Sequence, residues 1–282
     1  MEVASHHHPG STSRRRRPWA EPASESRLDG SRLGPLHVLP AGQAPRPSSG
    51  VAQGAYRAVE VLFAVVGLMV GLPLVLIAAI IIRLDSPGPA LFRHRRPARS
   101  VRALGRDLEG RTDLIPPPGG YLPDGQYCVP CYFTLVKLRT MYADAKTRFP
   151  DYYAYKFAPE TFHRQFPTIR DDPRVTRAGR LLRKLSIDEL PNLWSVVRGD
   201  MALVGPRPEA PEVLQYYTSA EMIKFTLKPG ITGLAQISGR GLLNWGETIA
   251  LDMEYARTRS VSLDLKIIVL TILRVVTRHG AF

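Results

Sequence analysis

Val61–Ile82 is an uninterrupted run of 22 residues without a charged side chain. At about 1.5 Å per helical residue it is long enough to cross a hydrocarbon layer of roughly 30 Å, so the simplest reading is one transmembrane helix. Two details argue against that. Pro73 sits near the middle with Gly67 and Gly71 just before it, which predicts a break or sharp kink. Both flanks are also basic: Arg14–Arg17 and Arg57 upstream, and Arg83, Arg93, Arg95, Arg96, Arg99, Arg102 and Arg106 downstream. Arg-rich flanks favour the cytoplasm, and both can lie there only if the segment turns back. A broken, re-entrant helix pair is therefore preferred. Under either geometry the heavier downstream cluster puts the rest of the chain on the cytoplasmic face.

Residues 1–54 are rich in Pro, Gly, Ser and Arg and carry no apolar period, so they are expected to be a disordered basic tail. His6–His8 is too short and isolated to argue for a metal site. The apolar segment lies too far from the start for a signal peptide, and no small-residue cleavage site follows it. The net charge of +13 suits anionic lipid or phosphorylated substrates. Nucleic acid is disfavoured, because the Arg cluster abuts the apolar segment and holds few aromatic residues for base stacking. Cys128 and Cys131 lie in a Pro/Gly-rich stretch with no second ligand pair, which favours ordinary reduced thiols over a zinc or redox site.

Beyond the turn at Asp85–Pro89, residues 90–92 suit a short strand or helix start, and residues 98–131 lack a sustained period and read as an inserted loop. Phe133–Leu138 reads as a strand, residues 144–170 as helical in parts, Asp171–Pro173 as a turn, and Val175–Leu185 as a helix. Glu212–Phe225 looks helical. Lys228–Arg240 is a Gly-punctuated stretch of the kind that lets backbone approach a phosphate. Leu263–Val276 is apolar but interrupted by Asp264, Lys266 and Arg274, which leaves a core helix and an interfacial helix both open.

The chemistry-bearing stretch is Arg183–Pro208. Ser186 and Glu189 have capping-box spacing, and Leu190, Leu193, Trp194 and Val197 recur at helical spacing, although Pro191 suggests a start one or two residues later. Asp188 and Glu189 in a first helical turn are ordinary complements to the helix dipole. Set among Arg183 and Lys184, the pair also suits a divalent metal, or a carboxylate nucleophile acting on a polyanion. The residues by themselves leave both readings open. No Walker A loop, GxSxG elbow, HExxH pair or internal repeat is present.

Taken together, Arg96-Pro97, KLRTM (Lys137–Met141), RAGRLLRKLSIDELPNLWSVVRGDMALVGPRPE (Arg177–Glu209), KPGITGLAQISGR (Lys228–Arg240) and LDMEYARTRSVSLDLKII (Leu251–Ile268) resemble the bacterial sugar transferase family, the monotopic phosphoglycosyl transferases that start lipid-linked glycan synthesis. The resemblance covers roughly residues 56–280. It implies an α-rich α/β membrane-associated domain: a proline-broken re-entrant helix within residues 55–92, then a cytoplasmic catalytic domain over 93–282 with interfacial amphipathic helices and a small sheet. The reaction it implies moves a sugar-1-phosphate from a UDP-sugar to a polyprenyl phosphate (undecaprenyl phosphate), releasing UMP, at the inner leaflet of the bacterial cell membrane. By the same resemblance Asp188 would be the nucleophile, with Glu189 beside it and Mg²⁺ held by Asp188 and Glu189. Arg183, Arg96, Lys137 and the turn Pro206-Arg207-Pro208 would bind substrate. Leu72 departs from the small polar residue that often precedes the family's proline. A non-catalytic membrane scaffold, and a glycosyltransferase that releases UDP, are the alternatives. The glycan pathway and a homodimeric state stay open.

Overall fold

In a computed structural model of the chain, residues 36–40 and 50–277 are described, apart from 113, 118, 155–156, 168, 170 and 240. The expectations for His6–His8 and Arg14–Arg17 lie outside the described residues. Helix α1 (Gly50–Asp85) contains the whole apolar run. Its helical assignment continues through Pro73, so the expected interruption of secondary structure is not seen there. Proline removes one backbone donor and so leaves the Met69 carbonyl without its usual partner within the helix.

One stripe of α1 faces the rest of the protein along its full length. Near its start, the Tyr56 hydroxyl donates to Asp264 Oδ2 at 2.7 Å, the Arg57 guanidinium donates to the Val196 carbonyl, and Glu60 Oε1 accepts from the Leu203 amide at 2.9 Å. Ala64, Ala78 and Ile82 are buried farther along. At the far end Asp85 Oδ2 accepts from the Ala178 amide at 3.3 Å. Arg139, itself buried, ties down the turn that follows, donating to the Ser86 carbonyl (2.8 Å), the Ser86 hydroxyl (2.9 Å) and the Pro89 carbonyl (2.7 Å). The opposite stripe is apolar and exposed, with Met69 at 72%, Val70 at 71% and Leu84 at 83%.

The strands form several small sheets rather than one. β1 (Leu36–His37) runs parallel to β5 (Leu114–Ile115). β2 (Leu39–Pro40), β6 (Gln126–Val129) and β4 (Val101–Leu104) make a three-stranded antiparallel sheet. β3 (Leu91–Pro97) and β7 (Tyr132–Leu138) form a long antiparallel hairpin, and β8 (Ala202–Val204) pairs in parallel with β9 (Gly230–Thr232). The expected disordered tail thus excludes residues 36–40, and the expected loop over 98–131 contains strands. The cause is the apolar Leu36–Leu39 stretch: Val38 is fully buried beside Leu108, Leu114, Tyr127 and Val129, and its amide donates to the Ile115 carbonyl at 3.0 Å.

Helices α2 (Ala145–Arg148), α3 (Arg177–Leu185), α4 (Leu193–Arg198), α5 (Leu234–Gly239), α6 (Trp245–Thr258) and α7 (Val261–Thr277) complete the domain. Thr176 caps α3, accepting from the Gly179 amide at 3.0 Å, and Arg183 and Lys184 complement the dipole at its other end. A full capping box between Asn244 and Glu247 starts α6. The expected helix over Glu212–Phe225 is instead two short 3₁₀ segments, Pro211–Tyr216 and Glu221–Thr226, packed into the aromatic core around Phe162, Tyr217, Phe225 and Trp245. Helix α7 packs into the core along one side and leaves an apolar face exposed along the other. Asp264 and Ile267 are buried, whereas Val261, Leu265, Val269, Ile272 and Leu273 form an exposed apolar face. Cys128 and Cys131 are both buried and not joined in a disulfide, and burial raises the Cys128 thiol pKa, which suits inert thiols.

Candidate active site

The Arg183–Pro208 stretch folds differently from its expected single helix, and the difference positions the acid pair. Ser186 ends α3 in the left-handed conformation, with φ 56°, instead of capping a new helix. The chain turns there into a 3₁₀ segment, Ile187–Asn192, and α4 begins only at Leu193. Pro191 accounts for the delay, since it has no amide hydrogen to donate inside a helix. Asp188 is thereby turned inward, 4% exposed, and Glu189 is half-buried beside it.

These two carboxylates line a cavity of about 760 Å³ together with Arg96, Lys137, Arg183 and Arg207. The β3–β7 register explains two of them. Lys137 pairs with Phe92 and Arg96 with Phe133, so both cations project from one face of the hairpin. The KLRTM segment then divides its tasks. Lys137 and Met141 line the cavity, and Arg139 secures the turn after α1. Thr140 accepts from Arg183 Nε at 3.0 Å through its hydroxyl, and from the Thr176 amide at 3.1 Å through its carbonyl. Arg183 is thus oriented by the hydrogen bond it donates to Thr140. Pro206 and Pro208 flank Arg207 without lining the cavity themselves, and the Pro206 carbonyl accepts from the Gly230 amide at 2.9 Å.

Burial pushes the Lys137 ammonium down to about 8; Asp188 and Glu189 oppose that shift, and Arg96 and Arg183 add to it. Burial lowers the Arg183 pKa too, against the pull of Asp188 and Asp172. The sequence reading took Asp171–Pro173 as a plain turn, yet Asp172 and Arg174 sit in the cavity wall as a buried ion pair with Nη2 to Oδ2 at 2.7 Å. Burial would raise the Asp172 pKa, but the Arg174 guanidinium and amide hold it below the ordinary value. With that pair mutually neutralised and Glu209 tied to Lys224, the wall presents Arg96, Lys137, Arg180, Arg183 and Arg207 against Asp171, Asp188 and Glu189. Five cations against three anions leave it positive, as a diphosphate ligand requires.

The Gly-punctuated stretch is a short strand, β9, followed by helix α5, rather than an open loop. Gly230 lies in β9, and a Cβ there would sit 2.1 Å from the Gly205 amide nitrogen, so this glycine lets two backbones touch. The stretch still reaches the cavity, through Ala235, Gln236 and Gly239 on α5. Gln236, Trp245 and Glu209 are cavity residues that the sequence reading did not single out. The Asn244-x-x-Glu247 capping signature ahead of an apolar run marked where Trp245 would enter.

Among the described residues no group of three or more His, Cys, Asp or Glu side chains is placed to hold a metal. Mg²⁺ commonly takes only one or two carboxylates and fills its shell with water and substrate phosphates, so adjacent Asp188 and Glu189 on a cavity wall fit it as a donor set.

The model of a family described as bacterial sugar transferase matches residues 51–105 and 130–278, with the insert strands β5 and β6 falling in the gap. The chain is 37% identical over 237 residues to the undecaprenyl-phosphate glucose phosphotransferase of Komagataeibacter xylinus, covering 80% of this chain but only 36% of that protein. It is 32% identical to the exopolysaccharide production protein ExoY of Sinorhizobium fredii, over 84% of this chain and 91% of that one. It is 35% identical to the UDP-glucose:undecaprenyl-phosphate glucose-1-phosphate transferase of Caulobacter vibrioides, over 89% and 80% respectively.

Proposed function

The chain belongs to the bacterial sugar transferase family, and we propose that it transfers a sugar-1-phosphate from a UDP-sugar to a polyprenyl phosphate, with Asp188 as nucleophile. The observation that carries this reading is the meeting of Asp188 and Glu189 with Lys137, Arg96, Arg183 and Arg207 in one cavity. A carboxylate attacks an anionic diphosphate poorly unless charge is neutralised, and that cavity supplies the cations.

In the first step an Asp188 oxygen bonds to the phosphorus that carries the sugar. The bond from that phosphorus to the bridging oxygen breaks, and UMP leaves with the electron pair. In the second step a phosphate oxygen of the polyprenyl phosphate attacks the same phosphorus. The bond to Asp188 breaks, the carboxylate is regenerated, and a polyprenyl diphosphate sugar is released. Arg207, exposed in the cavity between its two prolines, presents a planar fork to the diphosphate. Arg183, held by Thr140, and Lys137 neutralise oxygens on the phosphorus under attack. Mg²⁺ held by Asp188 and Glu189 would neutralise further charge on the diphosphate and the departing UMP.

The lipid acceptor requires a site beside the membrane, and α1 supports one that enters a single leaflet. A straight helix of 36 residues would be about 54 Å long, well beyond a hydrocarbon layer of roughly 30 Å. Both ends of α1 bond to the same polar body, through Tyr56 and Arg57 at one end and Asp85 at the other. A segment fastened in this way enters and leaves by one face, as a re-entrant helix does, with the exposed apolar faces of α1 and α7 against lipid. The Arg-rich strand β3 then favours the cytoplasmic face of the inner membrane.

Detergent-solubilised protein supplied with Mg²⁺, a panel of UDP-sugars and undecaprenyl phosphate is expected to release UMP. Release of UDP in its place would identify a transferase that moves only the sugar and would overturn this reading.

A further inference from the structure

Behind Arg207 lies a buried ionic cluster for which the proposed reaction assigns no task. Lys224 Nζ is 2.6 Å from Asp252 Oδ2, 3.1 Å from Glu209 Oε1 and 3.4 Å from the Tyr217 hydroxyl. All four side chains are almost completely buried, and the ammonium also lies 5.4 Å and 5.5 Å from the ring centres of Tyr217 and Phe225. Burial opposes the Lys224 charge, yet Asp252, Tyr217 and Glu209 hold it protonated well above the ordinary lysine range.

Such a cluster is a weak device for stability, because desolvating one cation and two carboxylates offsets most of their attraction. Its placement suggests a different use. Glu209 directly follows Pro208 and also lines the cavity. Asp252 is on α6; burial pushes its carboxyl up to about 6, against the opposing pull of Lys224 and, least, of the Arg207 main chain. Lys224, from the 3₁₀ segment Glu221–Thr226, joins the two carboxylates. The Pro-Arg-Pro turn is thus tied to α6 through Glu209, two residues beyond Arg207, whose guanidinium faces the cavity. The two prolines restrict φ on either side of Arg207 but cannot set where the turn sits relative to the cavity. The cluster can.

We propose that Lys224, with Glu209 and Asp252, is a positioning group that holds the Arg207 main chain so that its guanidinium presents to the donor diphosphate. The inference rests on the function proposed above. It is tested by calorimetric titration of the full-length protein with UDP, the portion common to every UDP-sugar. Removing the lysine alone leaves two buried carboxylates together and invites misfolding. The informative variant is therefore the uncharged set Lys224→Met, Glu209→Gln and Asp252→Asn, with folding checked by thermal unfolding.

This variant should weaken UDP binding about tenfold or more. In an Arg207→Ala background the same three changes should have no further effect beyond about twofold, because they act through Arg207. Unchanged binding in the uncharged variant, or a loss that adds in full to that of Arg207→Ala, would overturn the inference while leaving the functional reading intact. Absence of UDP binding by the unaltered protein would overturn both.

Discussion

Leu190 Cδ1 lies 3.2 Å from the position that a Cβ would occupy on Gly71, and Leu193 Cδ1 lies 3.0 Å from the corresponding position on Gly67. The turn that carries Asp188 and Glu189 therefore rests in a notch of α1, close to Pro73 in the same apolar run. Helix α1 and the acid turn are one packed unit, so the placement of one sets the position of the other.

Filling that notch should uncouple catalysis from membrane attachment. A Gly71→Leu substitution overpacks against Leu190, a change that generally costs about 1–3 kcal/mol and is relieved here by moving the acid turn. Turnover should fall about tenfold or more while co-sedimentation with vesicles persists. Unaltered turnover would mean that the contact does not position Asp188.

Lys137 should set the alkaline limb of activity. Its folded pKa of about 8 lies below the ordinary lysine value, so its charge is present below about pH 8 and lost above it. Consequently kcat/KM for the donor should fall as pH rises through that region. Bound phosphates favour the charged form and should displace the limb in kcat to higher pH. Lys137→Arg should remove the limb. The stability effect has the opposite sense: between about pH 8 and the ordinary lysine pKa the unfolded chain binds the extra proton, so this group's contribution to stability rises with pH. A profile for Lys137→Arg that matches the unaltered protein would assign the limb to another group.

The Asp172–Arg174 pair should matter for stability first. Arg174→Ala strands a buried carboxylate in the cavity wall, and breaking such a pair typically costs about 3–5 kcal/mol. Asp172 has a lowered folded pKa, so its contribution is present above the ordinary aspartate pKa and lost as pH falls through the folded value. Thermal unfolding followed from neutral to acid pH should show the unaltered protein losing this advantage and converging on the variant. A constant gap between the two at every pH would contradict the assignment.

The buried position of Val38 should tie the tail to the insert. Val38→Asp places a charge where no water reaches, so limited proteolysis within residues 106–129 should accelerate while residues 177–198 stay protected. Equal cleavage rates in the two proteins would show that residues 36–40 do not hold the insert.

The sequence made the chemistry more legible than the geometry. The apolar run, the Phe133–Leu138 strand and the helix ending at Leu185 are set by local patterns, whereas Arg96, Lys137 and Arg207 of the cavity wall were pointed to by the family resemblance. Ser186 was misread because capping-box spacing also occurs where one helix ends in a left-handed residue and a 3₁₀ turn follows. Glu212–Phe225 was misread because tertiary packing around Phe162 and Trp245 overrides weak helical periodicity. Glu209, Lys224 and Asp252 had no local signal, since they meet only when the 3₁₀ segment Glu221–Thr226 and α6 pack beside the Pro206–Pro208 turn; Asp172 and Arg174 are sequence neighbours, but only the tertiary fold buries their pair in the cavity wall. Val38 was hidden inside a composition dominated by Pro, Ser and Arg.

The central claim is a phosphorus bond to Asp188, and trapping that adduct tests it most directly. Protein incubated with a UDP-sugar labelled in the sugar-bearing phosphate, without polyprenyl phosphate, should release about one equivalent of UMP and retain the label on the peptide containing Asp188. Asp188→Asn should retain no label and lower turnover on the order of a thousandfold or more. Product that accumulates at a normal rate in Asp188→Asn, or label found on a different side chain, would contradict the account.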